Sequence, residues 1–273
     1  VFLVARVYPL MAAGTPALGA PLAGETGLVQ IVEVGQHAIS PALKVITWVG
    51  VLTALFAASI AVAQNDIKRI LAYSTVSQLG FMMMGLGVGG VAVGMFHLIT
   101  HAFFKALLFL GAGSAIHGSH EEHDIRRMGG LRRLMPVTFA VYAAGMLALS
   151  GFPLLFSGFW SKDGILHAAH AWSGSHWPFY LGVLAAFLTA FYMMRQVIYV
   201  FFGGRANTSE PCPHESPIVM LAPMTVLAVL TVLLGFIAER VEKAELMPMP
   251  KWRPMAYAPR KSAVWFSMPA PDS

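Results

Sequence analysis

The 273-residue chain is 57% hydrophobic and 11% charged, and its mean hydropathy is +0.67. Soluble domains carry about 25% charged residues, whereas several charge-free runs in this chain are long enough for a membrane helix of about 20 residues. Backbone polar groups must be paired internally in lipid, and these runs are too long for barrel strands. The composition therefore predicts an all-α fold, a polytopic transmembrane helical bundle, and excludes a soluble globular domain.

The net charge of +5 does not indicate nucleic-acid binding, because the basic residues lie in short loops between apolar runs. In such loops they act as orientation determinants of a membrane protein. The single cysteine, Cys212, excludes an intrachain disulfide, and it stands in no zinc-finger spacing. The chain begins at Val1 without an initiator methionine or a basic leader. We therefore expect a fragment that lacks an N-terminal part.

The apolar runs and the charged turns between them give the predicted elements in chain order. They are a helix end at 1–11, a polar connection at 14–41, a span at 45–63, a charged turn at 64–69, two spans within 70–116 separated at 85–90, a charged loop at 117–133, a segment at 134–160 broken within 150–164, and spans at 179–202 and 217–238. This assignment gives one membrane domain at 1–238. Residues 239–273 form a Pro- and Met-rich tail with no predicted fold.

The basic loops predict the orientation of the bundle. Lys68 and Arg69 lie in the 64–69 turn, and four arginines lie in the 117–133 loop. Two predicted spans separate these loops, so both are expected on the same side of the membrane. The positive-inside rule predicts that this side is cytoplasmic.

Three titratable residues, His97, His101 and Lys105, recur at every fourth position in HLITHAFFKALLFLGAG (97–113). On a helix they span an arc of about 80° and rise about 12 Å along the axis. Ionisable groups at membrane depth usually face a bundle interior or a hydrated cavity. Histidine and a desolvated lysine both titrate near neutrality, so the stripe favours a proton relay. The alternative is that the histidines bond to neighbouring helices while Lys105 extends to the membrane surface.

A second pair, Lys162 and Asp163 in GFWSKDGIL (158–166), follows a stretch interrupted by Gly151 and Pro153. Broken helices at membrane depth line cavities or are covered by protein, and transporters bind ions at half-helix ends. An interfacial loop would also accommodate the two charges in water. The sequence leaves both interpretations open.

Two further clusters carry weaker signals. The polar ladder YSTVSQ (73–78) suits either bound water or helix cross-linking, and cross-linking is slightly favoured. The loop HGSHEEH (117–123) contains three histidines and two glutamates, which are zinc-ligand types. No second cluster completes such a site, so no metal is predicted.

Four motifs closely resemble the subunit L family of NADH–quinone oxidoreductase, which is respiratory complex I. They are QNDIKRILAYSTVSQLGFM (64–82), FHLITHAFFKALLFLGAGSAIH (96–117), MGGLRRLMP (128–136) and GFPLLFSGFWSKDGIL (151–166). This family comprises the large antiporter-like subunit and its mitochondrial counterpart, chain 5. The resemblance covers roughly residues 1–237 and implies an antiporter-like fold with a discontinuous helix near 150–170.

The resemblance implies a non-redox subunit of a proton-translocating NADH:quinone oxidoreductase, with no catalytic chemistry in this chain alone. A chain of buried histidines and lysines would conduct H⁺, coupled to quinone reduction elsewhere in the complex. No cofactor is expected in this chain, because FMN, iron–sulfur clusters and quinone belong to other subunits. The implied partners are the lipid bilayer and other membrane-arm subunits, especially subunit M, and the implied location is a bacterial inner membrane.

The resemblance also assigns roles residue by residue. His97, His101 and Lys105 correspond to the central part of the family's proton chain. Lys162 corresponds to the lysine of the second broken helix, and Asp163 is its neighbour.

The chain departs from the family pattern in three places. A glutamate commonly follows SKD in the family, whereas this chain has Gly164. The family's first half, with its glutamate–lysine pair and first broken helix, is not in this sequence, and neither is its C-terminal lateral helix. Residues 1–238 would therefore be the C-terminal part of the antiporter-like domain.

Three alternatives remain from the sequence. The first is an Mrp-type Na⁺/H⁺ antiporter subunit, which carries a similar histidine and lysine stretch. The second is a membrane metalloprotein with ligands from His97, His101 and the 117–123 loop. The third is a scaffold that does not conduct ions.

Overall fold

The computed structural model describes residues 1–13, 40–153, 155–204 and 212–243. Its helices are α1 (Phe2–Ala13), α2 (Pro41–Ala63), α3 (Ile67–Gly87), α4 (Val91–Gly118), α5 (Leu131–Leu134), α6 (Pro136–Ser150), α7 (Ser157–Ala171), α8 (Trp177–Val197) with a following π-helical turn (Ile198–Phe202), and α9 (Ile218–Lys243). These parts of the chain contain no β-strand, which confirms the all-α prediction. Most of the predicted polar connection (14–39) and most of the predicted tail (244–273) lie outside the described residues.

Five of the described helices are long and apolar enough to cross a membrane: α2, α3, α4, α8 with its π turn, and α9 up to Ala238. Helices α6 and α7 have 15 residues each. This length corresponds to about 22 Å, which is less than the hydrocarbon thickness of about 30 Å. Together they form the discontinuous element predicted near 150–170. Lys162 and Asp163 lie within α7, so the interpretation of this motif as an interfacial loop is wrong.

The two basic loops meet at one end of the bundle. The backbone N–H of Ile67 donates to the His123 carbonyl at 3.1 Å, and that of Ile125 donates to the Asn65 carbonyl at 2.9 Å. Asp66 caps α3 by accepting the backbone N–H groups of Lys68 and Arg69. The prediction that both loops lie on the same side is therefore confirmed.

An ion pair lies in the second of these loops. Arg126 Nη2 donates to Asp124 Oδ2 at 2.7 Å. The hydrogen bonds from this guanidinium hold the pKa of the Asp124 carboxyl below its ordinary value.

Helix α4 lies in the interior of the bundle, in contact with α3, α6, α7 and α9. Helices α2 and α3 form a hairpin that packs along α8. The outer faces of α2 and α8 expose large apolar side chains such as Phe56 and Phe187, as expected of lipid-facing surfaces. The chain is therefore a multi-pass membrane protein whose titratable stripe on α4 faces other helices.

Candidate functional site

The end of α6 provides a hydrogen-bond acceptor inside the bundle. Gly151 terminates this helix in the left-handed region, with φ at 78°. The N–H groups of Gly151 and Phe152 both donate to the Leu147 carbonyl, at 3.1 and 3.0 Å. The carbonyl of Leu149 in the same last turn accepts a hydrogen bond from Lys162 Nζ on α7. The lysine thus supplies a donor at a helix end that lacks backbone donors.

Gly158 explains why α7 begins so close to α6. A Cβ atom at this position would overlap the carbonyl oxygen of Ala148. Glycine therefore permits the backbones of the two half-helices to touch. One helical turn beyond this contact, Lys162 reaches the Leu149 carbonyl.

Lys162 is buried, and no carboxylate among the described residues is paired with it. Its exposed fraction is 5%, and its Nζ lies 5.9 Å from the ring centroid of Phe81 in a cation–π arrangement. The ion pairs found among the described residues all lie in the two basic loops. Within the described residues, therefore, neither Lys162 nor Lys105 is paired with a carboxylate. Buried cations without such a partner are uncommon in proteins.

His97 joins the α4 stripe to α7. Its Nδ1 is 2.7 Å from the hydroxyl of Ser161, which directly precedes Lys162 in sequence, and its Nε2 is 3.2 Å from Gln78 Oε1. The ring of His101 lies 6.1 Å from that of His97, centroid to centroid. The Nε2 atom of His101 is buried and has no hydrogen-bond partner among the described residues.

Lys105 continues the stripe on the side of α3. Its Nζ donates to the hydroxyl of Ser74 at 2.7 Å and to the carbonyl of Leu71 at 3.2 Å. Its exposed fraction is 5%. The alternative in which Lys105 extends to the membrane surface is therefore wrong. The alternative that the histidines bond to neighbouring helices is confirmed for His97.

The structure brings four of the five sequence-predicted site residues together inside the bundle. His101 packs beside His97 on α4, and Lys105 lies one helical turn further along the same helix. His97 contacts Ser161, which directly precedes Lys162 on α7. We call these four residues the relay cluster. Asp163 is exposed and does not join them, because successive residues on a helix point about 100° apart.

Three polar partners of the relay cluster were not predicted as site residues. Ser74 and Gln78 belong to the YSTVSQ ladder, for which cross-linking was favoured. Ser77 of that ladder does cross-link, because its hydroxyl donates to the Ala54 carbonyl of α2 at 2.9 Å. Ser161 is the third partner, and its only signal in the sequence is its place beside Lys162.

The ligands that the metalloprotein alternative requires, from His97, His101 and the 117–123 loop, do not come together among the described residues. Among the residues that the structure describes, no three His, Cys, Asp or Glu side chains are grouped so as to hold a metal ion. His101 and His117 lie on the same uninterrupted helix α4. Sixteen residues of helix place them about 24 Å apart along the axis.

The fold and the site define a multi-pass membrane protein with a pair of half-helices and buried lysines, and transporters use half-helix ends at their ion sites. Residues 11–190 match the family described as NADH:quinone oxidoreductase/Mrp antiporter, TM. The chain belongs to this family.

Curated relatives give the same result. The chain is 48% identical over 208 residues to NADH-quinone oxidoreductase subunit L of Rhodobacter capsulatus, covering 72% of this chain and 29% of the relative. It is 54% identical over 188 residues to subunit L of Rickettsia bellii, covering 68% and 28%. It is 41% identical over 265 residues to NAD(P)H-quinone oxidoreductase chain 5 of Picosynechococcus, covering 87% and 36%. The resemblance to subunit L is therefore confirmed, and the chain spans about a third of the length of these relatives.

Two solved structures share the fold. A chain of the Mrp complex from Dietzia sp. superimposes with a TM-score of 0.66 at 23% identity, over 74% of this chain and 45% of that one. A chain of the membrane-bound sulfane sulfur reductase, an archaeal respiratory membrane complex, gives a TM-score of 0.67 at 29% identity, over 78% and 38%. The predicted antiporter-like fold is confirmed.

Proposed function

We propose that this chain is the proton-conducting part of a subunit of the subunit L type in an NADH–quinone oxidoreductase. Protons move along Lys105, His101, His97 and Lys162, driven by quinone reduction in other subunits. The observation that carries the proposal is the relay cluster itself, in which two buried lysines without carboxylate partners among the described residues are grouped with two buried histidines, one of which contacts the serine next to Lys162.

The chemistry of this cluster suits proton transfer. A neutral imidazole donates through one ring nitrogen and accepts through the other, and His97 already makes one contact at each nitrogen. Moving one charge across 100 mV is worth about 2.3 kcal/mol, and a pKa change of one unit is worth about 1.36 kcal/mol. Modest changes in the surroundings of these groups are therefore sufficient to drive proton steps.

The same cluster argues for H⁺ over Na⁺ as the transported ion. Hard cations bind carboxylate and carbonyl oxygens, whereas the relay cluster presents amines and imidazoles. For this reason we prefer the subunit L role to that of an Mrp-type Na⁺/H⁺ antiporter subunit, although both belong to the matched family.

The proposal includes a setting for the subunit. The basic loops at 64–69 and 117–133 face the cytoplasm of a bacterial inner membrane, as the positive-inside rule predicts. Protons leave Lys162 toward the periplasm. Subunit M and other membrane-arm subunits are the neighbours, and FMN, iron–sulfur clusters and quinone are held by other subunits.

The test is the substitution Lys162→Ala in the full-length subunit within its assembled complex. We expect proton pumping per NADH oxidised to fall at least about tenfold, while NADH oxidation by artificial electron acceptors stays unchanged. Lys68→Ala, which removes an exposed lysine at the loop end, serves as the matched control. Normal pumping in the Lys162 variant would overturn the proposal.

A further inference from the structure

Ser74 connects Lys105 to a tyrosine that no sequence motif had singled out. The Ser74 hydroxyl accepts a hydrogen bond from Lys105 Nζ at 2.7 Å and another from the Tyr192 hydroxyl at 2.7 Å. Tyr192 lies on α8 and is fully buried. The relay cluster therefore has a polar branch that leads from Lys105 through Ser74 to α8.

The branch continues along α8. Gln196 is one helical turn beyond Tyr192, about 6 Å along the axis, and is fully buried. Its amide nitrogen donates to the Ile67 carbonyl at 3.3 Å, whereas its amide oxygen has no partner among the described residues. The buried hydroxyl of Tyr142 on α6 lies near Gln196 and likewise makes no well-aligned hydrogen bond among the described residues. Unpaired buried polar atoms cost about 1–3 kcal/mol each, and such groups are typical partners of internal water.

The far end of the branch reaches the basic loops. Ile67 is the first residue of α3, and its N–H is bonded to the carbonyl of His123 in the 117–133 loop. The neighbouring Arg195 donates to the Gln64 carbonyl at 2.7 Å and to Asn65 Oδ1 at 2.6 Å. The polar groups thus extend from the loop end of the molecule to the buried lysine.

We propose that Ser74, Tyr192 and Gln196 form a proton entry branch that loads Lys105 from the side of the basic loops. The inference rests on the proposed function, because it supplies the proton that the relay cluster conducts. Hydronium from the aqueous phase is the proton source, and a water that bridges the buried oxygens of Gln196 and Tyr142 receives its proton.

Each step of the transfer is balanced. The water passes a proton to the Tyr192 oxygen as Tyr192 gives its own proton to Ser74. The neutral amine of Lys105 rotates so that its lone pair replaces the N–H that faces Ser74 in the structure, and it then receives the Ser74 proton. Both hydroxyls are unchanged at the end, and the amine has become an ammonium group.

The experiment uses Tyr192→Phe in the full-length subunit within the complex, with Tyr180→Phe as control. Tyr180 lies on the same helix but is 60% exposed. We expect Tyr192→Phe to lower the rate of pumping at least about tenfold, with normal assembly and an increased H₂O/D₂O rate ratio. Tyr180→Phe should change neither. The isotope ratio separates a proton-transfer role from a packing role, which would leave the ratio unchanged.

The outcomes separate the branch from the proposed function. If Lys162→Ala abolishes pumping while Tyr192→Phe behaves like Tyr180→Phe, the branch is overturned and the relay cluster stands. If Lys162→Ala pumps normally, the proposed function itself fails. Ser74→Ala also breaks the connection between Tyr192 and Lys105, and it leaves the tyrosine unaltered. If Tyr192→Phe does not assemble, the pumping rate and the H₂O/D₂O ratio of Ser74→Ala test the branch instead.

Discussion

Two polar regions between the helices of this protein differ in how completely their groups are hydrogen-bonded. The first is the relay cluster. The second, which we call the capping cluster, consists of Ser114, Thr138, Glu215 and Ser216, and it ties α4 and α6 to the residues before α9. Glu215 accepts the Val137 N–H at 2.9 Å and the Thr138 hydroxyl at 2.6 Å. The hydroxyl of Ser114 lies 2.8 Å from that of Thr138 and 2.7 Å from that of Ser216.

The two clusters differ in whether a carboxylate is present among their polar groups. In the capping cluster a carboxylate meets the N-terminal donors of α6, where the helix dipole favours negative charge. In the relay cluster two lysines lack a carboxylate among the described residues, and the buried Nε2 of His101 is unpaired. A complete network stabilises a structure, whereas an incomplete one has room to gain or lose a proton. The two clusters therefore differ in how completely their polar atoms are hydrogen-bonded.

Among the variants that test the difference between the two clusters, Lys105→Met is expected to have the largest effect on proton pumping. We expect pumping to fall at least about tenfold, with the melting temperature of the complex unchanged or raised. The physical reason is that replacing a buried charge by an apolar side chain of similar volume is often neutral or stabilising. Lys44→Met, at an exposed position on α2, is the control. A marked loss of thermal stability with pumping retained would show that Lys105 is structural.

An intermediate effect is expected for Gly158→Ala. The added methyl group would overlap the Ala148 carbonyl, so α7 must move away from α6 and Lys162 must lose its contact with Leu149. Pumping and melting temperature should both fall. Gly113→Ala is the matched control, because a methyl group there meets nothing within 4 Å. Alanine is also more favourable than glycine inside a helix, by about 0.5–1 kcal/mol. Equal behaviour of the two variants would contradict the close packing of the half-helices.

The smallest effect is expected for Glu215→Gln in the capping cluster. The amide keeps one acceptor oxygen but opposes a donor to the start of α6, at a cost of about 1 kcal/mol. We expect a drop of a few degrees in melting temperature, measured by differential scanning fluorimetry, with unchanged pumping per assembled complex. Glu121→Gln, at an exposed loop position, should change neither quantity. Reduced pumping at unchanged stability in Glu215→Gln would remove the distinction between the two clusters.

Much of the fold was predictable because it depends on local pattern. The charge-free runs gave the spanning helices to within a few residues, and the glycines at 85–90 gave the end of α3. The spacing of His97, His101 and Lys105 predicted one shared helix face. The Gly/Pro break before Lys162 predicted the discontinuous helix.

The partners of these residues were not predictable in the same way. Asp163 was expected beside Lys162, but its direction on α7 takes it away from the relay cluster. Tyr192 lies in an apolar span with no distinctive spacing, yet it bonds to a serine 118 positions away in the chain. Contacts of this kind depend on how the helices rotate and cross, which a single sequence pattern does not encode.

The sequence by itself determined that this protein is a helical membrane bundle with a titratable stripe and a broken helix, because hydropathy and helical period are properties of neighbouring residues. Only the tertiary structure decided which polar groups are paired. His97 contacts Ser161, which is 64 positions away in the sequence, and Lys105 donates a hydrogen bond to Ser74, which is 31 positions away. Hydrogen bonding requires atoms to approach within about 3 Å, and only the packing of the helices against one another sets distances of that size.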